Sequence, residues 1–138
     1  MSDAEFIWPI RVYYEDTDVA GVVYYANYLK FFERGRTEWL RSLGLEQDLL
    51  IEQGIAFVVR RAEIDYLKAA RFNDELEVRT RVADVRKASV RFEQILSFKN
   101  RPEFEVCRGN ILVACVNMAT LKPTPVPAAL LEELERDV

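Results

Sequence analysis

The sequence predicts an α+β fold in which one antiparallel sheet curls around a single long helix. The helix is predicted from apolar and small residues spaced three or four apart, on one stripe: Tyr28, Phe32, Gly35, Trp39 and Leu43. Leu29, Phe31 and Leu40 widen that stripe, so the helix should be enclosed on most sides. Strand-like alternation precedes this helix once and fills most of the chain after it. A sheet wrapped around the helix is the simplest way to bury both.

The elements around the helix begin with a short strand at Ile10–Tyr14, which alternates apolar and polar residues. The acidic run that follows breaks this pattern, and Gly21 indicates a turn with an aspartate at its start. Asn27 is the expected N-cap of the helix and Gly44 its expected C-terminal stop.

The rest of the chain is predicted as four strands with short connections. The expected segments are a connection over Glu46–Gly54, strands over Ile55–Leu67, Glu75–Val85, Ser89–Phe98 and Phe104–Leu121, and a terminal helix over Ala128–Glu135. A turn is expected at 100–102, and a bulge or break of the last strand at 109–110.

Length and composition indicate one domain spanning residues 1–138, with enough apolar residues for a core: half of the chain is hydrophobic and 30% is charged. A net charge of -4 argues against a protein that binds nucleic acid through its overall field. No leader-like segment or membrane-spanning apolar run is visible, so we expect a cytoplasmic protein. The two cysteines, Cys107 and Cys115, have the spacing of neither a zinc site nor a disulfide framework.

The chain contains no histidine. This excludes a Ser-His-Asp triad, a Cys-His pair and any metal site that depends on histidine. Hydrolytic chemistry would have to use carboxylates, tyrosines, lysines or oriented backbone groups.

The segment from Arg11 to Leu43, with its core Y-x-D-T-D-x-x-G-V-V-Y, closely resembles the 4-hydroxybenzoyl-CoA thioesterase family, nearest the branch associated with the bacterial Tol-Pal system. The similarity extends to A-F-V-V-R at 56–60 and to the strand order. It implies the hot-dog fold, with a five-stranded sheet around one central helix, and hydrolysis of acyl-CoA without a cofactor. It also implies a homodimer with active sites at the subunit interface, which often dimerises again into a tetramer.

The same resemblance assigns roles to individual residues. Asp18 matches the family's catalytic carboxylate, and the backbone N–H near Tyr25 matches its oxyanion donor. The stretch Arg86-Lys87-Ala88-Ser89 resembles a CoA-binding segment. Tyrosine at position 25 resembles the 4-hydroxybenzoyl-CoA enzymes, whereas the Tol-Pal branch often has histidine there, so the acyl preference stays open.

A thioester suits such a site, because its thiol leaving group departs as a thiolate near neutral pH without a general acid. Asp18 can attack directly or orient water, and the helix entrance can stabilise the oxyanion.

Each candidate also has a purely structural interpretation. Asp18 and Asp16 are typical turn residues around Gly21. Glu33 and Glu38 on the helix are weaker catalytic candidates and are typical of solvated or paired side chains. The basic cluster formed by Arg79, Arg81, Arg86, Lys87 and Arg91 either binds the phosphates of CoA or forms cross-strand ion pairs with Glu75, Glu77 and Glu93.

Two other functions remain compatible with the sequence. The acyl group could arrive on acyl carrier protein, an acidic partner that the same basic residues would dock. Alternatively, the chain could bind acyl-CoA without hydrolysis, as a scaffold of the envelope machinery; the Asp18 motif argues against that function.

Overall fold

A computed structural model describes residues 5–45 and 47–137. Its strands are β1 (Phe6–Arg11), β2 (Ile55–Tyr66), β3 (Glu75–Val85), β4 (Ser89–Phe98) and β5 (Arg101–Asn117). Its helices are α1 (Asn27–Ser42), α2 (Gln47–Glu52) and α3 (Ala128–Asp137). None of these helices is long and apolar enough to cross a membrane.

The five strands form one antiparallel sheet in the order β1-β3-β4-β5-β2. Each pair is joined along most of its length, for example by Val78↔Leu96 between β3 and β4, and among the described residues only the β1–β3 pair has no register shift. The edges of the sheet are β1 and β2. This arrangement confirms the predicted sheet, and β3 and β4 have the predicted bounds.

Helix α1 lies against the face of the sheet and carries most of the buried stripe that the sequence predicted; Leu29, predicted to widen it, is 40% exposed, and Leu43 is only partly buried. Its buried residues are Tyr28, Phe31, Phe32, Gly35, Trp39 and Leu40. Gly35 allows the closest approach, since a Cβ at this position would lie 2.8 Å from a methyl carbon of Val78. Trp39 packs edge-on against Phe92 of β4, with ring centroids 5.4 Å apart. The helix is therefore the centre of the core.

The terminal helix α3 confirms the predicted amphipathic segment and closes the core near the C-terminal end of α1. Leu130 and Leu134 are fully buried, and the N–H of Val126 donates to the carbonyl of Lys87 at 2.8 Å. Helix α2 lies in the predicted connection after Gly44, whose φ of +79° ends α1 as expected. Glu46, where that connection was predicted to begin, lies outside the described residues.

Two predicted boundaries at the N-terminal side were wrong. The first strand is Phe6–Arg11 and not Ile10–Tyr14, because residues 14–16 form a 3-10 turn. Pro9 is accommodated because β1 is an edge strand. Asn27 is the first helical residue and not the N-cap, which is Ala26.

The prediction of a break at Gly109-Asn110 was also wrong. Strand β5 begins at Arg101 and pairs with both neighbours through these residues, while the turn before it lies at 99–100. Gly109 instead allows α1 to approach, because a Cβ there would lie 2.9 Å from Phe32 and from Ile64. The register shifts occur elsewhere, including one between Val59 and Arg61 of β2.

Candidate active site

The segment before α1 folds into a tight antiparallel loop that holds Asp18 at its tip. Thr17 pairs with Val23, the N–H of Asp18 donates to the carbonyl of Val22 at 2.9 Å, and the N–H of Tyr24 donates to the carbonyl of Asp16 at 2.9 Å. The predicted turn at Gly21 is confirmed: its N–H donates to the carbonyl of Asp18 at 3.0 Å and its φ is +79°. Because they carry the predicted catalytic residue Asp18, we call residues 16–24 the catalytic loop.

The carboxylate of Asp18 is exposed to solvent and accepts the backbone N–H of Ala20 at Oδ1, at 2.9 Å. Its other oxygen accepts from no donor in the described part of the chain. The turn contact therefore orients the carboxylate while leaving one oxygen available. A turn role and a chemical role for Asp18 are compatible.

Asp16 is 5% exposed and anchors the catalytic loop from inside. Its Oδ2 accepts the N–H of Tyr13 at 2.8 Å, and its backbone carbonyl accepts the side-chain amide of Asn27 at 3.0 Å. Asn27 was predicted as a cap; it instead ties the first residue of α1 to the catalytic loop. Asp16 has the positioning role that its turn motif indicated.

The entrance of α1 presents free backbone donors. Within residues 5–45 and 47–137, neither the N–H of Tyr25 nor that of Ala26 donates to an acceptor. The first turn of a helix carries such unpaired N–H groups and a dipole equivalent to roughly half a positive charge. The Tyr25 region can therefore bind a developing oxyanion.

Aromatic rings surround this entrance. Tyr25 is 60% exposed and its ring lies 5.0 Å from that of Tyr24 and 5.9 Å from that of Tyr66. The ring of Tyr66 also lies 5.8 Å from that of Tyr28, whose hydroxyl accepts the N–H of Ala70 at 3.1 Å. Burial raises the pKa of the Tyr28 phenol, and burial also raises that of Tyr66, so both stay neutral near pH 7. No sequence pattern singled out Tyr66, because it belongs to β2, which is distant in sequence from the catalytic loop.

The hairpin between β3 and β4 holds the predicted CoA-binding residues. Arg86 and Ser89 line a depression of about 250 Å³ together with Arg60 and Arg91, while Asp84 accepts from Arg86 at 3.3 Å. Lys87 is exposed beside this depression. Arg91 also lies 3.9 Å from Glu93, so three guanidinium groups meet two carboxylates and leave a local surplus of one positive charge, which favours phosphate binding.

Two further members of the predicted basic cluster are engaged in ion pairs. Arg81 pairs with Glu93 across the strands, and Arg79 lies 3.4 Å from Glu77. These contacts agree with the structural interpretation for the two residues.

The two helix glutamates also have local partners. Glu33 accepts the hydroxyl of Thr37 at 2.5 Å, and Glu38 pairs with Arg41 at 2.7 Å. Both contacts run along the helix, as expected of paired surface carboxylates. No group of metal-ligating side chains occurs among the residues that the structure describes.

The catalytic loop and the β3–β4 hairpin lie at opposite ends of α1. Tyr28, in the first turn of α1, contacts Ala70 and Tyr66, whereas Trp39 near its C-terminal end contacts Phe92 of the β3–β4 side. Sixteen helical residues span about 24 Å. One chain therefore does not bring Asp18 and Arg86 together.

The open edge of β2 exposes two valines, which are followed by the exposed Arg60 and Arg61. Val58 is 41% exposed and Val59 is 52% exposed, and Leu67 follows at 52%. An unpaired edge strand with exposed valines favours pairing with another strand.

These features define a class of site: free backbone N–H donors at a helix entrance lie beside an exposed, oriented aspartate, in a protein whose sheet wraps around that helix. A family model described as the thioesterase-like superfamily matches residues 12–134, and the chain belongs to this superfamily of hot-dog proteins. The chain is 48% identical over 128 residues, 92% of both chains, to "Acyl-CoA thioesterase YbgC" of Haemophilus influenzae. It is 39% identical to "Acyl-CoA thioester hydrolase YbgC" of Escherichia coli, over 99% of this chain and all of that one.

Solved structures share the fold. A probable thioesterase from Bartonella henselae superposes with a TM-score of 0.83 at 36% identity, covering 90% of this chain and 100% of that chain. A 1,4-dihydroxy-2-naphthoyl-CoA thioesterase from Synechocystis superposes with a TM-score of 0.88 at 24% identity, covering 95% and 96%. The second likeness shows the hot-dog fold alone.

Proposed function

We propose that the chain hydrolyses acyl-CoA to a free acid and CoA, with Asp18 as nucleophile or general base and the N–H near Tyr25 as oxyanion donor. The observation that carries this proposal is the free carboxylate oxygen of Asp18, held by the same loop that leads into the unpaired N–H groups of α1. The names of the YbgC relatives support the same activity.

The spacing in the catalytic loop is compatible with one thioester between the two groups. In the register of the loop, Asp18 lies opposite Val22, and Tyr25 lies three positions further along. Three positions of extended chain correspond to about 10 Å. Attack at about 3 Å, a carbonyl bond of about 1.2 Å and a hydrogen bond of about 2.9 Å occupy about 7 Å of that distance.

The reaction needs no histidine. In the general-base route, water loses a proton to Asp18 as its oxygen bonds to the thioester carbon, and the carbonyl oxygen becomes an oxyanion at the Tyr25 N–H. The oxyanion then collapses, the carbon–sulfur bond breaks, and CoA leaves as a thiolate. In the covalent route, a carboxylate oxygen of Asp18 attacks the thioester carbon, the carbon–sulfur bond breaks and CoA leaves as a thiolate; water then hydrolyses the resulting anhydride to the free acid and the Asp18 carboxylate. Losing one oxyanion donor typically costs about 3 to 4 kcal/mol of transition-state stabilisation.

We further infer that CoA is bound by the hairpin of a second copy. In an antiparallel pairing of two β2 edges around Arg60, a two-fold axis relates the two chains, so the C-terminal end of α1 in one chain lies beside the N-terminal end of α1 in the other. This pairing would bring the partner's hairpin beside Tyr66 and Tyr25. The exposed valines of β2 favour this pairing. The assembly would be a homodimer, or a homotetramer if it dimerises again.

The finer assignments rest on the family resemblance. We propose a cytoplasmic enzyme associated with the Tol-Pal system, with neither metal nor cofactor. Acyl carrier protein is a second possible donor of the acyl group, because the arginine-lined depression would also suit an acidic protein surface.

The test of catalysis is thiol release from acyl-CoAs of several chain lengths by the wild type and by Asp18→Asn. We expect the substitution to lower kcat by about 100-fold or more, as removal of a positioned acid–base group does. Asp74→Asn is the matched control, because Asp74 also accepts a backbone N–H in a turn, from Arg71 at 2.8 Å. Equal activity of wild type and folded Asp18→Asn would exclude Asp18. Activity only with acyl carrier protein would favour that donor, and none with either would favour a scaffold.

A further inference from the structure

The guanidinium of Arg36 lies on the inner side of α1 and is fixed by a buried amide. Its Nη1 donates to Oε1 of Gln94 at 2.9 Å. Gln94 is 1% exposed, and its Nε2 donates to the carbonyl of Phe32 at 2.9 Å and to Oγ1 of Thr80 at 2.8 Å. The hydrogen bonds of the Gln94 side-chain amide therefore fix its position, and the amide in turn holds the guanidinium of Arg36 in place.

Arg36 has no carboxylate partner. Within the described ranges, no acidic oxygen lies within 4.0 Å of its nitrogens, whereas most neighbouring arginines of the sheet are paired. Burial lowers the pKa of Arg36, and the charge of Glu33 opposes this shift only in part. Removing a guanidinium from water without a counter-charge is costly. The positive charge is therefore available to an anion that enters from outside.

An apolar trough leads to this charge. Between α1 and β2, a groove of about 320 Å³ has aliphatic walls formed by Leu29, Val59, Ala62 and Ile111, and α1 contributes Lys30, Glu33 and Arg36 to its rim. A second groove continues past Phe57 and Val113, where Glu33, Arg36 and Thr37 line the helix side. The nine helical steps from Asn27 to Arg36 correspond to about 14 Å along the helix. The trough thus extends from near the oxyanion donors to a fixed cation.

We propose that this trough binds the acyl chain and that Arg36 selects acyl groups carrying a carboxylate at their distal end. The proposal rests on the proposed thioesterase activity and extends it by naming a substrate class, the α,ω-dicarboxylic acyl-CoAs. An apolar chain fits the aliphatic walls, and a terminal carboxylate supplies the direct ion pair that Arg36 lacks among the described residues, where Glu33 acts on it only from a distance. Arg36 acts as a specificity residue and takes no part in bond breaking.

The test compares dicarboxylic acyl-CoAs, from adipoyl-CoA to dodecanedioyl-CoA, with the monocarboxylic acyl-CoAs of equal length. For the best-fitting length, we expect the wild type to have the higher kcat/KM for the dicarboxylic member. In Arg36→Met this ratio should fall by about tenfold or more, since a hydrogen-bonded charge pair contributes about 1.5 to 3 kcal/mol.

Two variants control for charge and for folding. Arg36→Lys keeps the charge and should keep part of the preference. Arg34→Met removes an exposed arginine of the same helix, whose guanidinium lies over the ring of Phe31, and should leave the ratio unchanged. Circular dichroism and thermal unfolding of each variant verify the fold.

Binding separates this proposal from the proposed activity. Calorimetry with non-hydrolysable S-alkyl-CoA and S-(ω-carboxyalkyl)-CoA thioethers measures the preference even if no thioester is cleaved. Tighter binding of the carboxylated thioether by the wild type, lost in Arg36→Met, would support the proposal. Equal ratios in the two proteins, or a preference for the plain chain at every length, would overturn it. Absence of hydrolysis with an intact binding preference would overturn only the thioesterase activity.

Discussion

Gly35→Ala tests how closely α1 approaches the sheet. The added Cβ would lie 2.8 Å and 3.1 Å from the two methyl carbons of Val78 and 3.0 Å from Oγ1 of Thr80. Val78 and Thr80 are at most 1% exposed, and Thr80 also accepts from Gln94, so these neighbours have little room to move. Overpacking of this kind costs about 1 to 3 kcal/mol, whereas alanine gains about 1 kcal/mol in helix propensity over glycine. Because these neighbours have little room to move, the cost should lie in the upper half of that range, at about 2 to 3 kcal/mol, which leaves a net destabilisation of about 1 to 2 kcal/mol.

Urea denaturation followed by circular dichroism measures this change, provided that the m value stays constant. The double variant Gly35→Ala/Val78→Ala should be more stable than the sum of the single changes predicts, by about 1 kcal/mol, because the new methyl group enters the space left by the valine. A neutral or stabilising Gly35→Ala would contradict the packing of α1 on β3. Strict additivity in the double variant would also contradict it.

The remaining predictions concern the loop, the core thiol and the open edge. Asn27→Ala removes the hydrogen bond from the Asn27 amide to the Asp16 carbonyl, which still accepts the N–H of Tyr24. We expect kcat to fall by about tenfold while the free energy of unfolding falls by only about 1 kcal/mol, as enzyme kinetics and thermal unfolding would measure. Burial raises the pKa of Cys107 to about 12, so the folded thiol keeps its proton where the unfolded one ionises. The contribution of this thiol to the free energy of unfolding is fully present below about pH 8.5 and is lost as the pH rises toward 12, by up to about 4 kcal/mol. Over this range, the free energy of unfolding should fall more steeply with pH in the wild type than in Cys107→Ala, as alkaline denaturation would measure. Val58→Lys places a charge on the β2 edge and should shift sedimentation toward monomer, with activity falling in parallel; an active monomer would refute the two-chain site.

Much of the architecture could be predicted because periodicity is a local property. The stripe through Phe32 and Trp39 predicted α1, and strict alternation predicted β3 and β4 with their bounds. The prediction for Gly109 was wrong because a glycine in a strand can indicate either a bulge or the close approach of another element. Only the position of Phe32 in the structure decides between these two interpretations.

The candidate site was predictable where it is contiguous in sequence. Asp16, Asp18, Gly21 and Tyr25 belong to one short motif, and the structure brings them into one loop. The contacts of that loop and of the trough join distant residues, as in Arg36 with Gln94, 58 positions apart. Such pairs depend on strand order and register, which residue patterns alone do not determine. The separation of Asp18 from Arg86 has the same origin.

Complementation in mixed dimers tests the central claim most directly, that Asp18 of one chain works with the Arg86–Lys87 hairpin of another. Asp18→Asn should lack turnover, and Arg86→Ala/Lys87→Ala should have a raised KM for acyl-CoA. A mixed dimer holds one chain of each variant, so one of its two shared sites combines the wild-type Asp18 of one chain with the wild-type hairpin of the other. Thiol release at low acyl-CoA concentration should therefore recover to one full site per mixed dimer. Activity that never exceeds the sum of the two separate variants, in dimers verified to be mixed, would contradict the account.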